Sequence, residues 1–229
     1  MFELIQQKSL LLGNKNAIDA LAQKDSARLL VISDSHGSSS AVHSILKHFG
    51  STCDALCFCG DGSRDVLSVL ANSLSHADFA KSIPPVVALA QGNGDFSSCV
   101  LHSSHPQAFS VPKSQFFIAA GKLVFVTHGH LYDVYYGTKE LFYSAKRENA
   151  EIVLFGHTHI PYAKNEDDIL ILNPGSCARP RRNSVNSFAI ITVSPQNTTF
   201  QFYSMQTDEK TAHFAPYTPP QEEISLLWV

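Results

Sequence analysis

One feature recurs along the chain: a short apolar run ends at once in a polar cluster rich in Asp, Asn, His and Gly. Residues 28–33 lead into Asp34-Ser35-His36-Gly37, residues 55–59 into Gly60-Asp61-Gly62, and residues 86–90 into Gly92-Asn93-Gly94-Asp95. Residues 123–127 lead into His128-Gly129-His130, and residues 152–155 into Gly156-His157-Thr158-His159. Residues 169–172 lead into Asn173-Pro174-Gly175-Ser176. Apolar runs this short, without polar alternation, read as buried parallel strands. Between them, Val42, Ile45, Leu46 and Phe49 recur at helical spacing, so helices are expected over 41–49, 64–80 and 138–150. The alternation gives an α/β class. Runs 187–194 and 198–205 have fewer helical intervals and are expected as antiparallel strands of a second sheet. Two sheets with helices outside is the expected architecture.

In open α/β sheets, ligands bind in the crevice beyond the carboxyl ends of the strands, so clusters far apart in sequence can converge there. A single cluster of Asp, Asn and Gly is ordinary turn chemistry. Five in register are harder to explain that way. Five of the eleven histidines fall inside these clusters, while His43, His48, His76, His102, His105 and His213 are scattered and read as ordinary polar side chains. Carboxylate oxygens mixed with imidazole nitrogens suit Mn, Fe, Zn or Ni better than Ca, which prefers an all-oxygen shell. No cysteine stands in the clusters, which disfavours a structural zinc site.

Composition narrows the classes further. With 229 residues, 44% of them hydrophobic, one domain with decorated ends is expected. A formal charge of −3 offers no electrostatic footprint for a polyanion, so nucleic acid is not the expected partner. Glu3 stands where a leader peptide would be basic, and the longest wholly apolar run near the start is Leu10 to Leu12; neither export nor a membrane span is expected. The five unevenly spaced cysteines do not form a secreted disulfide framework, and a cytoplasmic location is expected. Cys57 and Cys59 share one strand face and read as small buried hydrophobes rather than metal ligands. Residues 1–27 read as a helical extension, a hairpin or cap broken at Gly13-Asn14. Residues 207–229 read as an irregular arm, with Pro216, Pro219 and Pro220 before an apolar anchor around Trp228. Homo-oligomerisation is left open.

Together the motifs resemble those of the calcineurin-like metallophosphoesterases, most closely the compact phosphodiesterases of the YfcE-like group. The resemblance covers about residues 28–205 and rests on Asp34-x-His36, Gly60-Asp61, Gly92-Asn93, His128-Gly-His130 and Gly156-His157-x-His159. It implies a four-layer α/β/β/α sandwich of two mixed sheets flanked by helices, spanning 28–206. It also implies two divalent metal ions: Asp34, His36 and His159 on the first, Asn93, His128 and His157 on the second, and Asp61 bridging them. The Asn173–Ser176 turn would shape the site. Manganese is the expected metal, with Ni, Zn, Fe or Mg as alternatives. Many members carry a histidine directly after the Gly-Asn asparagine; here that position is Gly94, as in the YfcE-like group, so a protein-supplied acid is in doubt.

The implied reaction is hydrolysis of a small phosphodiester by a hydroxide shared between the cations. Two divalent ions bring about +4, two carboxylates and the hydroxide remove about 3, and about +1 remains to attract phosphate. A neutral Asn93 preserves that surplus. His130 is free to orient His128, contact phosphate or donate a proton. Arg179, Arg181 and Arg182 follow the Ser176 turn; they would grip a phosphate by bidentate hydrogen bonds, though an exposed basic loop is the commoner state. The alternatives are a phosphomonoesterase or nuclease on the same metals, or a scaffold like the retromer's small subunit. In the latter, ligand positions are partly lost; here all are filled.

Overall fold

A computed structural model describes residues 2–101, 107–208 and 211–220. The chain opens with β1 (Leu12–Gly13), α1 (Lys15–Ala22), β2 (Ala27–Ile32), α2 (Ser39–Phe49), β3 (Ala55–Phe58), α3 (Ser63–Ser73), α4 (Ala77–Ala80) and β4 (Val86–Leu89). It continues through β5 (Ser98–Leu101), β6 (Gln107–Ser110), β7 (Ser114–Ala119), β8 (Lys122–Thr127), α5 (Lys139–Glu148) and β9 (Ile152–Leu154). Strands β10 (Pro161–Glu166), β11 (Ile169–Pro174), β12 (Ser187–Val193), β13 (Thr198–Asp208) and β14 (Thr211–Tyr217) complete it.

Two mixed sheets stack face to face. The first has the order β1-β4-β3-β2-β12-β13-β14, with β2, β3 and β4 parallel; the second has the order β10-β11-β9-β8-β7, with β8, β9 and β11 parallel. Because strand side chains alternate between faces, each central strand splits its residues between two cores. Leu30, Ile32, Leu56, Phe58, Val87 and Leu89 pack against Val42, Ile45, Leu46, Val66, Leu67 and Leu70 of α2 and α3. The intervening Leu29, Val31, Ala55, Cys57 and Ala88 meet Val124, Val126, Ile152, Leu154 and Leu172 of the other sheet. That sheet's outer residues, Phe125, Val153 and Ile171, bury Leu141, Phe142 and Ala145 of α5. The result is the expected α/β/β/α sandwich. Cys57 and Cys59 are fully buried in the inter-sheet core, where they pack as hydrophobes.

Three expectations about the decorations need correction. Strands β12 and β13 join the first sheet, because β12 pairs antiparallel with the edge of β2 that β3 leaves open. Residues 1–27 are not a helical hairpin. Leu12–Gly13 pair with β4, and only Lys15–Ala22 are helical, with the Asn14 side chain accepting from Asn16 N as an N-cap. Gly13 sits at φ 128° with Pro85 O only 2.3 Å from where a Cβ would stand, so the break is a strand pressed against backbone. Of the expected irregular arm, residues 207 and 208 end β13 and Thr211–Tyr217 form β14, paired along β13. The proposed Trp228 anchor and His102 and His105 lie outside the described residues. The helix expected over 64–80 is interrupted between Ser73 and Ala77.

No helix among the described residues is long and apolar enough to cross a membrane. Leu12 is fully buried beneath α2 and α3 although it belongs to a two-residue strand. Leu12→Ala should therefore cost about 2–5 kcal/mol in urea unfolding. A loss below about 1 kcal/mol would show that the N-terminal segment merely rests on the fold.

Candidate metal centre

The parallel strands of both sheets release their chains at one end of the sandwich, and there the backbone turns sharply. Asp34, His36, Asp61, His157 and His159 all have positive φ, between 43° and 69°. Such conformations cost about 1–3 kcal/mol each where the side chain is not glycine, and they persist only when surrounding contacts impose them. Those contacts are identifiable. Ser33 Oγ donates to Asp34 Oδ2 at 2.5 Å, and His157 N donates to the same oxygen at 3.2 Å. Ser176 Oγ donates to Asp34 O and accepts from Ala178 N and Arg179 N. Glycine is required where loops touch: a Cβ on Gly92 would stand 2.1 Å from Asp61 Oδ1, and one on Gly156 2.0 Å from Ser33 Oγ.

With one Asp34 oxygen committed to its own loop, the other turns inward. Asp34 Oδ1 is buried and accepts no hydrogen bond, although His159 Nε2 lies 3.2 Å away, His36 Nε2 3.7 Å and His128 Nε2 4.0 Å. The tautomers explain the missing bonds. His128 Nδ1 lies 2.7 Å from Cys59 O, and His159 Nδ1 2.5 Å from Arg179 O. A carbonyl only accepts, so both Nδ1 atoms carry the proton and both Nε2 atoms turn lone pairs inward. Ring nitrogens and carboxylate oxygens then crowd one another throughout the centre. His36 Nε2 and His159 Nε2 are 3.0 Å apart, His157 Nδ1 and His128 Nε2 3.2 Å, and Asp61 Oδ2 lies 3.5 Å from His128 Nε2 and 3.8 Å from His36 Nε2.

The electrostatics follow from this crowding. Burial, aided by the positive charge available on His128, pushes the His157 imidazole down to about 4. Burial also lowers His36 and His130, so these rings are held in the neutral, ligand-competent form. For Asp61 burial acts upward, but contact with His128 and the Gly94 N–H at 2.7 Å outweigh it and keep the carboxyl below its usual range. His128 moves upward instead: burial opposes its charging, yet Asp61 and Asp34 together prevail. A cation in the centre would replace that proton.

Each sequence-derived candidate has a definite location. Asp34, His36 and His159 form one group of ligand atoms within 4.8 Å of one another, and Asp34, Asp61 and His128 form another. Asp34 thus belongs to both groups, while Asp61 also approaches His36. His157 joins through His128. Asn93 is exposed on the loop whose next residue, Gly94, donates to Asp61. The His130 ring lies 5.4 Å from that of His128 and 6.1 Å from that of His157, and its Nδ1 is buried without a partner.

Sequence reasoning missed the residues that hold these loops together. Asp95 accepts four backbone N–H groups, from Asp61, Gly62, Ser63 and Gly92, at 2.8–3.0 Å. It clasps the loops after β3 and β4 and caps α3 from outside the helix. Asp65 does the same for the first loop, accepting from Ser35 Oγ and Gly37 N. The one signal was acidic residues within glycine turns, which local turn chemistry also explains.

Comparison with known proteins agrees with this geometry. Residues 28–196 match the family described as the calcineurin-like phosphoesterase superfamily domain. The Bacillus subtilis protein named "Probable metallophosphoesterase YsnB" is 28% identical over 182 residues, covering 79% of this chain and 93% of that one. Phosphodiesterase YfcE of Escherichia coli K12 is 28% identical over 169 residues, covering 72% and 86%. Among solved structures, vacuolar protein sorting 29 from Cryptosporidium parvum shares the fold at a TM-score of 0.64 and 15% identity, covering 85% of this chain and 98% of that one.

The unpaired Asp34 Oδ1 yields a test. Asp34→Asn keeps an acceptor for Ser33 and sets an N–H where Oδ1 faces the His159 lone pair, and Asn tolerates positive φ well. Metal-free Asp34→Asn should therefore melt about 2–4 °C above metal-free wild type, equivalent to about one added hydrogen bond. It should also lose the further stabilisation that Mn²⁺ gives the wild type. A variant that melts lower, or still gains from Mn²⁺, would contradict the charge arrangement described here.

Proposed function

The chain belongs to the calcineurin-like phosphoesterase superfamily, and from that premise we propose that it is a phosphodiesterase working with two divalent cations. Asp34, His36 and His159 would hold one ion and Asn93, His128 and His157 the other, with Asp61 shared. Divalent cations so held polarise a phosphoryl oxygen and lower the pKa of a bound water, aligning attack and departure. The observation that carries this reading is the buried, hydrogen-bond-free Asp34 Oδ1 facing imidazole lone pairs. A pure hydrogen-bonding network would not leave so costly a group unpaired.

The protein's own groups divide the remaining work. The Cys59 and Arg179 carbonyls accept from Nδ1 of His128 and His159, which leaves both Nε2 atoms facing the centre as ligands. Asn93 supplies a neutral oxygen, which keeps the centre's charge positive towards an anionic ester. His130, with its unpartnered Nδ1, stands beside the second ion's ligands, where it would contact the ester or its leaving oxygen. An oxygen and nitrogen donor set without thiolate suits Mn, with Ni, Zn or Fe next. Five free cysteines, four of them buried, are consistent with a reducing compartment, and we assign the protein to the cytoplasm. Small phosphodiesters are the proposed substrates.

Gly94 sets the preference between diester and monoester. A monoester carries more negative charge, and its alkoxide leaves best when an acid protonates it. No side chain projects from Gly94 to do so, so diesters with good leaving groups should be favoured. A Cβ there would stand 3.2 Å from Asp61 Oδ1, so a histidine fits after a shift of a few tenths of an ångström and carries its ring beside the centre. Wild-type kcat/KM should favour aryl phosphodiesters over aryl monoesters, and Gly94→His should raise the monoester-to-diester ratio by up to about 10²-fold. An unchanged ratio in a folded, metal-loaded variant would refute the role given to this position. Loaded wild type that hydrolyses neither ester would favour the scaffold alternative.

A further inference from the structure

The loop after Ser176 carries three arginines, and one of them is fixed in a way that exposed arginines usually are not. The Arg181 guanidinium donates through Nη1 to the Tyr135 hydroxyl, and its Cζ lies 5.9 Å from the centroid of that ring. The Tyr135 hydroxyl donates in turn to His157 O at 3.0 Å, and its ring lies 4.7 Å from the His157 imidazole. The Arg181 backbone N–H reaches His159 O at 3.5 Å. One solvent-facing cation is thus tied at both ends to the Gly-His-x-His turn that presents two of the centre's imidazoles.

Bracing alone does not explain the choice of residue. A neutral donor would hold Tyr135 equally well, whereas arginine adds a permanent charge and further N–H donors in a planar fork. Its partner is a phenol, and among the described residues no carboxylate pairs with it. In a chain of net charge −3, a positive group fixed beside the site suits an anionic ligand. Arg181 also lines a small pocket with Ile160 and Pro161, the residues that follow His159 in the chain, and with Asn183 and Ser184. None of the proposed ligands lines that pocket.

We propose that Arg181, held in place by Tyr135, binds a phosphate oxygen of the substrate and so sets substrate specificity at this site. The inference rests on the phosphoesterase reading and names the residue that reads the substrate's charge. Two sources of that oxygen are distinguishable: the phosphate being cleaved, or a second phosphate seated towards the pocket.

The test measures binding of inorganic phosphate and of pyrophosphate to Mn²⁺-loaded protein by calorimetry, with metal content determined on the same samples. Arg181→Gln should retain its metal and weaken an anion by about 10- to 100-fold, the range of a charge-assisted hydrogen bond. Arg181→Lys should fall between, keeping charge without the fork, and Tyr135→Phe should weaken the same anion less. Weakening of both anions assigns the contact to the cleaved phosphate; weakening of pyrophosphate alone assigns it to a second phosphate. Unchanged affinity for both anions in Arg181→Gln overturns the proposal. So does a fall in metal content with unchanged anion affinity per loaded molecule, which is the signature of mere bracing. Loaded wild type that binds neither anion would instead defeat the phosphoesterase reading beneath it.

Discussion

Crowding of buried carboxylate oxygens and imidazole nitrogens governs this centre. Asp34 Oδ1, Asp61 Oδ2 and ring nitrogens of His36, His128, His157 and His159 are pressed together with separations between 3.0 and 4.0 Å. Water would relieve such a group in solution, but the Asp34 and His128 side chains are fully buried. Protonating one imidazole helps only its nearest neighbours. Positive ions held as proposed would satisfy the whole group.

That arrangement explains features that otherwise look like defects. Five residues of the centre adopt positive φ, and the loops bearing them are held by groups that face away from it: Ser33, Asp65, Asp95 and Ser176. Each occupies an oxygen or a backbone N–H that could otherwise have turned inward and neutralised a ligand. Stability is given up locally and recovered in the sandwich, where α2, α3 and α5 cover outer faces and the two sheets bury a shared core. Stacked sheets also bring their parallel strands to a common end, so ligands from β2, β3, β8 and β9 meet although the chain separates them by up to 125 residues between Asp34 and His159.

The strands and their clusters were legible because each apolar run is short, unbroken and ended by turn formers. The structure brings His36, His128, His157 and His159 into one cluster, with the His130 ring beside it. The decorations were less legible for specific reasons. Leu11 and Leu12 are both buried, one in each core, a pattern that fits a helix as well as a strand until β4 is seen to pair with it. Strand β12 could join either sheet; its partner was decided by the edge left open beside β2. Asp95 was hidden because three of its four bonds go to backbone atoms of distant residues, which no side-chain pattern encodes. Arg181 could not be told from a solvated surface charge until Tyr135 was seen to hold it.

The central claim is that this electron-rich cluster binds two divalent ions close together. Electron paramagnetic resonance of metal-stripped protein titrated with Mn²⁺ tests it most directly, because manganese ions about 3.5–4 Å apart couple magnetically. The account predicts saturation at about two ions per chain, with an exchange-coupled spectrum replacing the isolated-ion signal as the second ion enters. Saturation at one ion per chain, or an isolated-ion spectrum that persists at saturation, would contradict it.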